Sequence, residues 1–324
     1  MDSFEKVIRE FAGQLTYRGL TTERLNKLAG GQFDAVVVVG MGGSGLAGEI
    51  LRCRRAAVGL KLPVFLWKDY GLPELAAWGV RSPLYVFVSF SGNTEETLSG
   101  LGKLPRGAKA AVLAAGGQLI ALARRQGLAV ITFNGAGLTP RQATGRMFYG
   151  LIEILHASRL IPRRIPAGVN LTSPFNLRAR GQKLARSLHR RLTAIYTDEA
   201  NRDLGYIWKI KLNETAKTPA FANIVPEMNH NEIVSYEKPV APTAVILMHS
   251  APGRLKKRFD IFGQVLRKYG ARVETIDLTG RGLDRVWNAL ILAEWTTFFL
   301  AKLNKVDPSA VKIVERLKAL MRTP

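Results

Sequence analysis

Residues 36–39 are four valines in a row, and this unbroken apolar run stops at Gly40-Met41-Gly42-Gly43-Ser44-Gly45 before a helical pattern takes over across 46–55. A short β-branched run bounded by glycines reads as a buried strand. The same signature returns at 63–67 and 84–88, the latter running into Ser89-Phe90-Ser91-Gly92-Asn93-Thr94-Glu95-Glu96-Thr97 and another helix. Residues 110–114 and 128–133 add two strands around a helix at 119–126. Strand and helix alternating at this spacing predict a parallel sheet covered by helices on both faces. A long helix is predicted over about 140–160. A linker follows at 161–176, marked by Pro162, Pro166, Gly168 and Pro174. The second half repeats the theme, with strands at 193–197, 243–248 and 272–278, and helices at 253–269, 283–304 and 309–321. The two halves share element order but no detectable identity. The expected architecture is α/β, two doubly wound parallel-sheet domains of Rossmann-like, flavodoxin-type build, divided as 1–160 and 161–324.

Composition narrows the setting. The 324 residues include one cysteine, Cys53, which rules out an intrachain disulfide and points to a reducing compartment. Asp2 and Glu5 come early, without the basic-then-apolar order of a secretory leader. The most apolar helical stretch, 289–303, is interrupted by Glu294 and is too short to span a bilayer. A cytoplasmic protein with no membrane partner is expected. Lysine and arginine outnumber aspartate and glutamate by 47 to 25, a net charge of +22 that attracts anions in general, sugar phosphates included. The basic groups are dispersed, and neither zinc-finger spacing nor an aromatic-and-basic stacking motif is present, so no specific nucleic-acid partner is expected.

Two polar loops carry the chemistry. Gly40-x-Gly42-x-x-Gly45 fits a dinucleotide-binding turn, and Asp69 stands near the end of the next strand. Ser44, however, brings a side-chain donor that a pyrophosphate turn does not need. A P-loop reading fails because Leu46-Ala47 stand where lysine and a hydroxyl are required. The second loop gathers Ser89, Ser91 and Thr94 at a helix N-terminus, where backbone N–H groups and the helix dipole favour a dianionic phosphate. A helix cap would use one hydroxyl. The cluster has two to spare.

The segment 89–97 resembles the phosphosugar-binding loop of the sugar isomerase (SIS) superfamily. Taken with Gly40 to Gly45, Pro140-Arg141, Asn213-Glu214-Thr215-Ala216-Lys217 and Pro226-Glu227-Met228-Asn229-His230-Asn231-Glu232, the chain looks like the archaeal bifunctional phosphoglucose/phosphomannose isomerases over residues 34–318. The resemblance implies an aldose–ketose isomerase that interconverts glucose 6-phosphate, and mannose 6-phosphate, with fructose 6-phosphate through a cis-enediolate. It implies a homodimer, no cofactor and no metal.

Such chemistry needs a carboxylate to move one proton between neighbouring carbons, a cation facing the developing oxyanion, and an acid–base group for ring opening. Glu214, between a helical stretch at 204–212 and the Pro219 break, is the natural base. His230, in a polar Asn-His-Asn run, suits ring opening, and the resemblance has it supplied by the neighbouring subunit. By analogy with the family's Pro-Arg, Arg141 faces the enediolate, with Arg146 one turn later as an alternative. Lys318 on the terminal helix matches a lysine that assists ring opening. The phosphate falls to Gly43, Ser44, Ser89, Ser91 and Thr94. Lys217 reads as an i,i+3 partner of Glu214 with no chemical role. Thr215 departs from the family's usual asparagine. Four scattered histidines do not make the metal site of the cupin-type phosphomannose isomerases. The rival readings are a non-catalytic sugar-phosphate sensor, which has no use for Glu214 with His230, and a nicotinamide dehydrogenase using the glycine loop.

Overall fold

The computed structural model describes residues 3–162, 174–278, 280 and 282–321, so most of the linker predicted at 161–176 lies outside the described residues. The chain forms two compact units. One takes in 10–162 with 282–286, and the other 3–9, 174–278, 280 and 287–321. The opening helix α1 (Ser3–Arg9) therefore groups with the second half of the chain.

In the first unit a one-turn helix α2 (Ala12–Leu15) and a three-residue strand β1 (Thr21–Glu23) lead to β2 (Ala35–Val39), α3 (Gly42–Arg54), β3 (Val64–Trp67), β4 (Pro83–Ser89) and α4 (Glu95–Gly102). Then come β5 (Ala110–Ala114), α5 (Gln118–Arg125), β6 (Ala129–Thr132) and α6 (Thr144–Ala157). The sheet runs β1-β6-β5-β4-β2-β3, parallel except for β1, which closes the edge antiparallel to β6. Alternate residues of a strand face opposite sides. Val37, Val39, Phe87 and Val112 pack with Leu101 and Leu119 on the α4–α5 side. Val38 and Leu66 meet α3 at Gly48, and Leu113 meets α6 at Gly150. Both faces are buried, so the strands read as continuous apolar runs.

The second unit contains α7 (Pro174–Leu188), β7 (Leu192–Thr197), α8 (Arg202–Ala216), β8 (Ala220–Ile224), β9 (Thr243–His249), α9 (Gly253–Lys268), β10 (Arg272–Asp277), most of α10 (Gly282–Leu303) and α11 (Lys312–Leu320). Its sheet is parallel throughout in the order β10-β9-β7-β8. In each unit the first parallel strand sits inside the sheet, with the second on one side of it and the third on the other. This is the flavodoxin-type doubly wound order. Tyr196, Val245 and Leu247 bury one face of the second sheet against Phe259, Phe262 and the segment 225–236. Thr197 turns its methyl to the other side, against Gly205 of α8.

Four details depart from the sequence reading. Strand β8 was not anticipated: it starts directly after Pro219 and extends β7 in parallel. Strand β1 was missed for its brevity. Helix α3 begins at Gly42, inside the glycine loop, rather than after it. Helix α6 begins at Thr144, because Gln142 and Ala143 both donate to Thr139 O, at 3.0 and 3.1 Å, and make residues 139–143 a turn. No described helix is long and apolar enough to cross a membrane. Helix α10 instead carries Glu294 inward to an ion pair with Lys211 of α8, both side chains buried.

Candidate active site

Strands β2 and β4 lie side by side in parallel register, Val39 opposite Phe87. Their carboxyl ends therefore deliver the loops 40–45 and 89–94 to one place. Crossovers leave this point in opposite directions, toward β3 and toward β5, which opens a crevice where doubly wound sheets take their ligands. The loops are joined: Phe90 N–H donates to Ser44 Oγ at 2.9 Å. Within the second loop, Ser89 Oγ and Thr94 Oγ1 share a hydrogen bond of 3.0 Å, and Ser89 also accepts from Gly92 N at 3.1 Å. Ser91 Oγ accepts from Asn93 N at 3.2 Å. Thr94 stands at the N-cap of α4, yet its hydroxyl turns to Ser89 and not to the helix. Gly92 has φ +66° and presses against the Gly116 carbonyl, so no side chain fits there. Ser44 and Ser89 are buried and shape the loops from within, whereas Ser91 is exposed and Thr94 partly so.

Arg141 belongs to the same place. Gly43 packs so closely on the 139–143 turn that a Cβ on it would sit 2.6 Å from Arg141 N. The Arg141 side chain is only 1% exposed, unlike the solvated arginine usual before a helix. A guanidinium keeps its charge in any protein environment, so this buried side chain is a permanent cation, on a residue whose backbone packs against the glycine loop. The alternative, Arg146, is committed elsewhere: it donates to Asn134 O and lies 4.6 Å over the Tyr17 ring.

A neighbouring charge network escaped the sequence reading. Glu49 in α3 is 1% exposed and pairs with Lys68 at the end of β3, and with Arg52 at 3.2 Å. The Lys68 stem passes Gly45, its Cε 3.9 Å from where a Cβ on that glycine would be. The residue at the β3 terminus is thus a lysine turned toward the loop. Asp69, the acid a dinucleotide site would use, accepts instead from its own neighbour Tyr70 N at 2.7 Å. The available signal was a lone acid, Glu49, in a helix whose first two turns are small and apolar.

Glu214, His230 and Lys318 stand in the second unit. Glu214 is half-buried in the last turn of α8. Lys217, at φ +51°, ends that helix. Its ammonium donates to Glu214 O and to Asp307 O, both at 2.7 Å, a helix-terminal lysine satisfying open carbonyls. Asn304 adds bonds of 2.9 Å to Ala216 O and 3.0 Å to Thr218 Oγ1. The carboxylate-bearing end of α8 is thereby laced to the segment that leads into α11, where Lys318 is exposed. His230 closes a short 3₁₀ turn, Glu227–His230, and is exposed.

Comparison with known proteins fits this arrangement. Residues 178–321 match the family described as the bacterial phospho-glucose isomerase C-terminal SIS domain. Over 98% of its length the chain is 29% identical to the bifunctional phosphoglucose/phosphomannose isomerase of Aquifex aeolicus, of which 98% is covered. It is 31% identical to the enzyme of the same name from Thermoplasma acidophilum, covering 89% of this chain and 90% of that one. The chain belongs to this family. The SIS fold extends to more distant proteins: the C-terminal domain of glucosamine-fructose-6-phosphate aminotransferase from Francisella tularensis matches 95% of this chain and 98% of its own at a TM-score of 0.65, with 14% identity. Thr215 stands beside Glu214. It is fully buried in α8.

Proposed function

We propose that this chain reversibly isomerises glucose 6-phosphate, and mannose 6-phosphate, to fructose 6-phosphate. The observation that carries the reading is the joined pair of loops at the β2–β4 switch point, with the buried residue Arg141 packed by its backbone on Gly43. Hydroxyls, backbone N–H groups and the α4 terminus suit a phosphate dianion. In this scheme Gly43, Ser44, Ser89, Ser91 and Thr94 hold the phosphate. Glu214 removes the proton at C1 or C2 and returns it to the other carbon, and Arg141 faces the enediolate oxygens. Proton transfer by a placed carboxylate contributes on the order of 10²–10⁴ in rate. His230, assisted by Lys318, passes protons between the ring and anomeric oxygens, so that the closed sugar opens. The working unit is a homodimer in which each chain's His230 serves the other chain's sugar. No hydride leaves the substrate, and the scheme uses neither a metal nor a nucleotide. The single cysteine supports assigning the reaction to the cytoplasm.

The deciding experiment is a coupled assay of the purified, EDTA-treated protein on glucose 6-phosphate and mannose 6-phosphate, with NAD binding titrated in parallel. Turnover of both aldoses after chelation is the expected result. Loss of activity on chelation, or NAD binding in place of sugar turnover, would overturn the reading.

A further inference from the structure

His230 is exposed, yet the chain on either side of it is pinned. On the N-terminal side, Val225 N donates to Thr197 O at 2.8 Å, and Val225 and Met228 are buried. On the C-terminal side stands Glu232, two residues beyond the histidine. Both of its carboxylate oxygens are engaged by the sheet. Asn223 Nδ2, on β8, donates to Oε1, and Tyr196 OH, on β7, donates to Oε2 at 3.0 Å. Tyr196 OH lies 2.9 Å from Tyr236 OH. A phenol has one proton to give. With Tyr196 giving its proton to the carboxylate, Tyr236 must donate to Tyr196, and the chain of bonds runs Tyr236, Tyr196, Glu232. Burial holds the Tyr196 phenol far above its ordinary pKa, with the nearby Tyr236 and Glu232 adding to the shift, so it stays a donor. Asn231 closes the frame: its Oδ1 accepts from Glu232 N at 2.5 Å, and its Nδ2 donates to Glu227 Oε1 at 3.2 Å.

The two tyrosines are buried and Glu232 and Asn223 half-buried, and a polar network whose members are all satisfied rigidifies the segment carrying it. We propose that Glu232, locked between Asn223 and Tyr196, is a positioning residue that fixes the segment presenting His230 for ring opening. The proposal rests on the reading of His230 as the ring-opening group. Its chemistry predicts which replacements are tolerated. A glutamine can turn its oxygen to the Asn223 amide and its NH₂ to Tyr196 OH, which then donates to Tyr236; every group keeps a partner. Alanine removes the acceptor that the Tyr196 proton and the half-buried Asn223 amide now share.

A group that acts only in ring opening should matter for a cyclic sugar and not for one already open. 5-Deoxyfructose 6-phosphate lacks the hydroxyl that closes the furanose, and it serves as the open-chain probe beside fructose 6-phosphate. Glu232→Ala is expected to lower kcat on fructose 6-phosphate at least about tenfold with KM changed less than about twofold, and to leave kcat on the open-chain ketose within about twofold of wild type. Glu232→Gln should keep most of both rates. Tyr196→Phe, which removes one donor and keeps the ring, should show the same selectivity in milder form and carries the test if the alanine variant does not fold. His230→Ala is the reference. If it is selective for the cyclic sugar while Glu232→Ala and Tyr196→Phe slow both sugars equally or neither, the positioning role falls alone. If His230→Ala fails to distinguish the two sugars, the reading of His230 falls and the proposal with it.

Discussion

Phe90 N–H donates to Ser44 Oγ at 2.9 Å, and this bond joins the turn after β2 to the turn after β4. Ser44 is buried, so its hydroxyl serves the shape of the site as well as its donor set. In the proposed scheme the two loops grip one phosphate and have to keep their spacing, and a side chain from one bonded to the backbone of the other keeps it.

Replacing Ser44 with alanine removes that bond and leaves the Phe90 N–H without its partner. A net hydrogen bond is worth about 1 kcal/mol, or roughly a factor of five in affinity. Ser44→Ala should therefore raise KM for fructose 6-phosphate about fivefold or more, with a smaller change in kcat. Steady-state kinetics on the purified variant checks it. An unchanged KM would mean that the loops hold their spacing without the bond.

Glu214 makes a sharper demand, because amide and carboxylate have nearly the same shape and only one takes a proton. Glu214→Gln is expected to lower kcat by about 10²–10⁴ while inorganic phosphate, tested by calorimetric titration, binds as in the wild type. A variant that keeps a tenth of wild-type turnover would remove Glu214 from the role of base.

What the sequence disclosed follows from range. The valine run at 36–39, the two loops after β2 and β4, and the polar run around His230 are local patterns, and each lies where the structure has it. Strand β8 was hidden because Ala220–Ile224 has no β-branched run and follows a proline; it is a strand through its pairing with β7. Arg141 meets Gly43 backbone to backbone, and the two are distant in the chain. The Glu49–Lys68 pair and the grip of Tyr196 on Glu232 also join separated residues, and no local periodicity announces them.

The two arginines of the 141–146 segment give a paired test. Arg141 is buried, with its backbone packed on Gly43, and Arg146 lies over Tyr17. Lysine keeps the charge but loses the planar fork and its geometry. Arg141→Lys should lower kcat at least about tenfold, and Arg146→Lys should change it less than about twofold. The reverse ranking would transfer the enediolate-facing role to Arg146.

The Lys211–Glu294 pair links α8 to α10 one helical turn ahead of Glu214, with both side chains buried. Removing one member leaves an uncompensated buried charge, which typically costs about 3–5 kcal/mol. Lys211→Met alone should thus destabilise the second unit severely in urea unfolding. Lys211→Met combined with Glu294→Leu removes both charges and keeps apolar volume, and should recover most of that loss, because buried ion pairs replaced whole by apolar residues are often neutral in stability. If the double variant is as unstable as the single one, the pair contributes more than mutual neutralisation. If the double variant recovers stability but not kcat, the pair also sets the angle at which α8 presents its carboxylate.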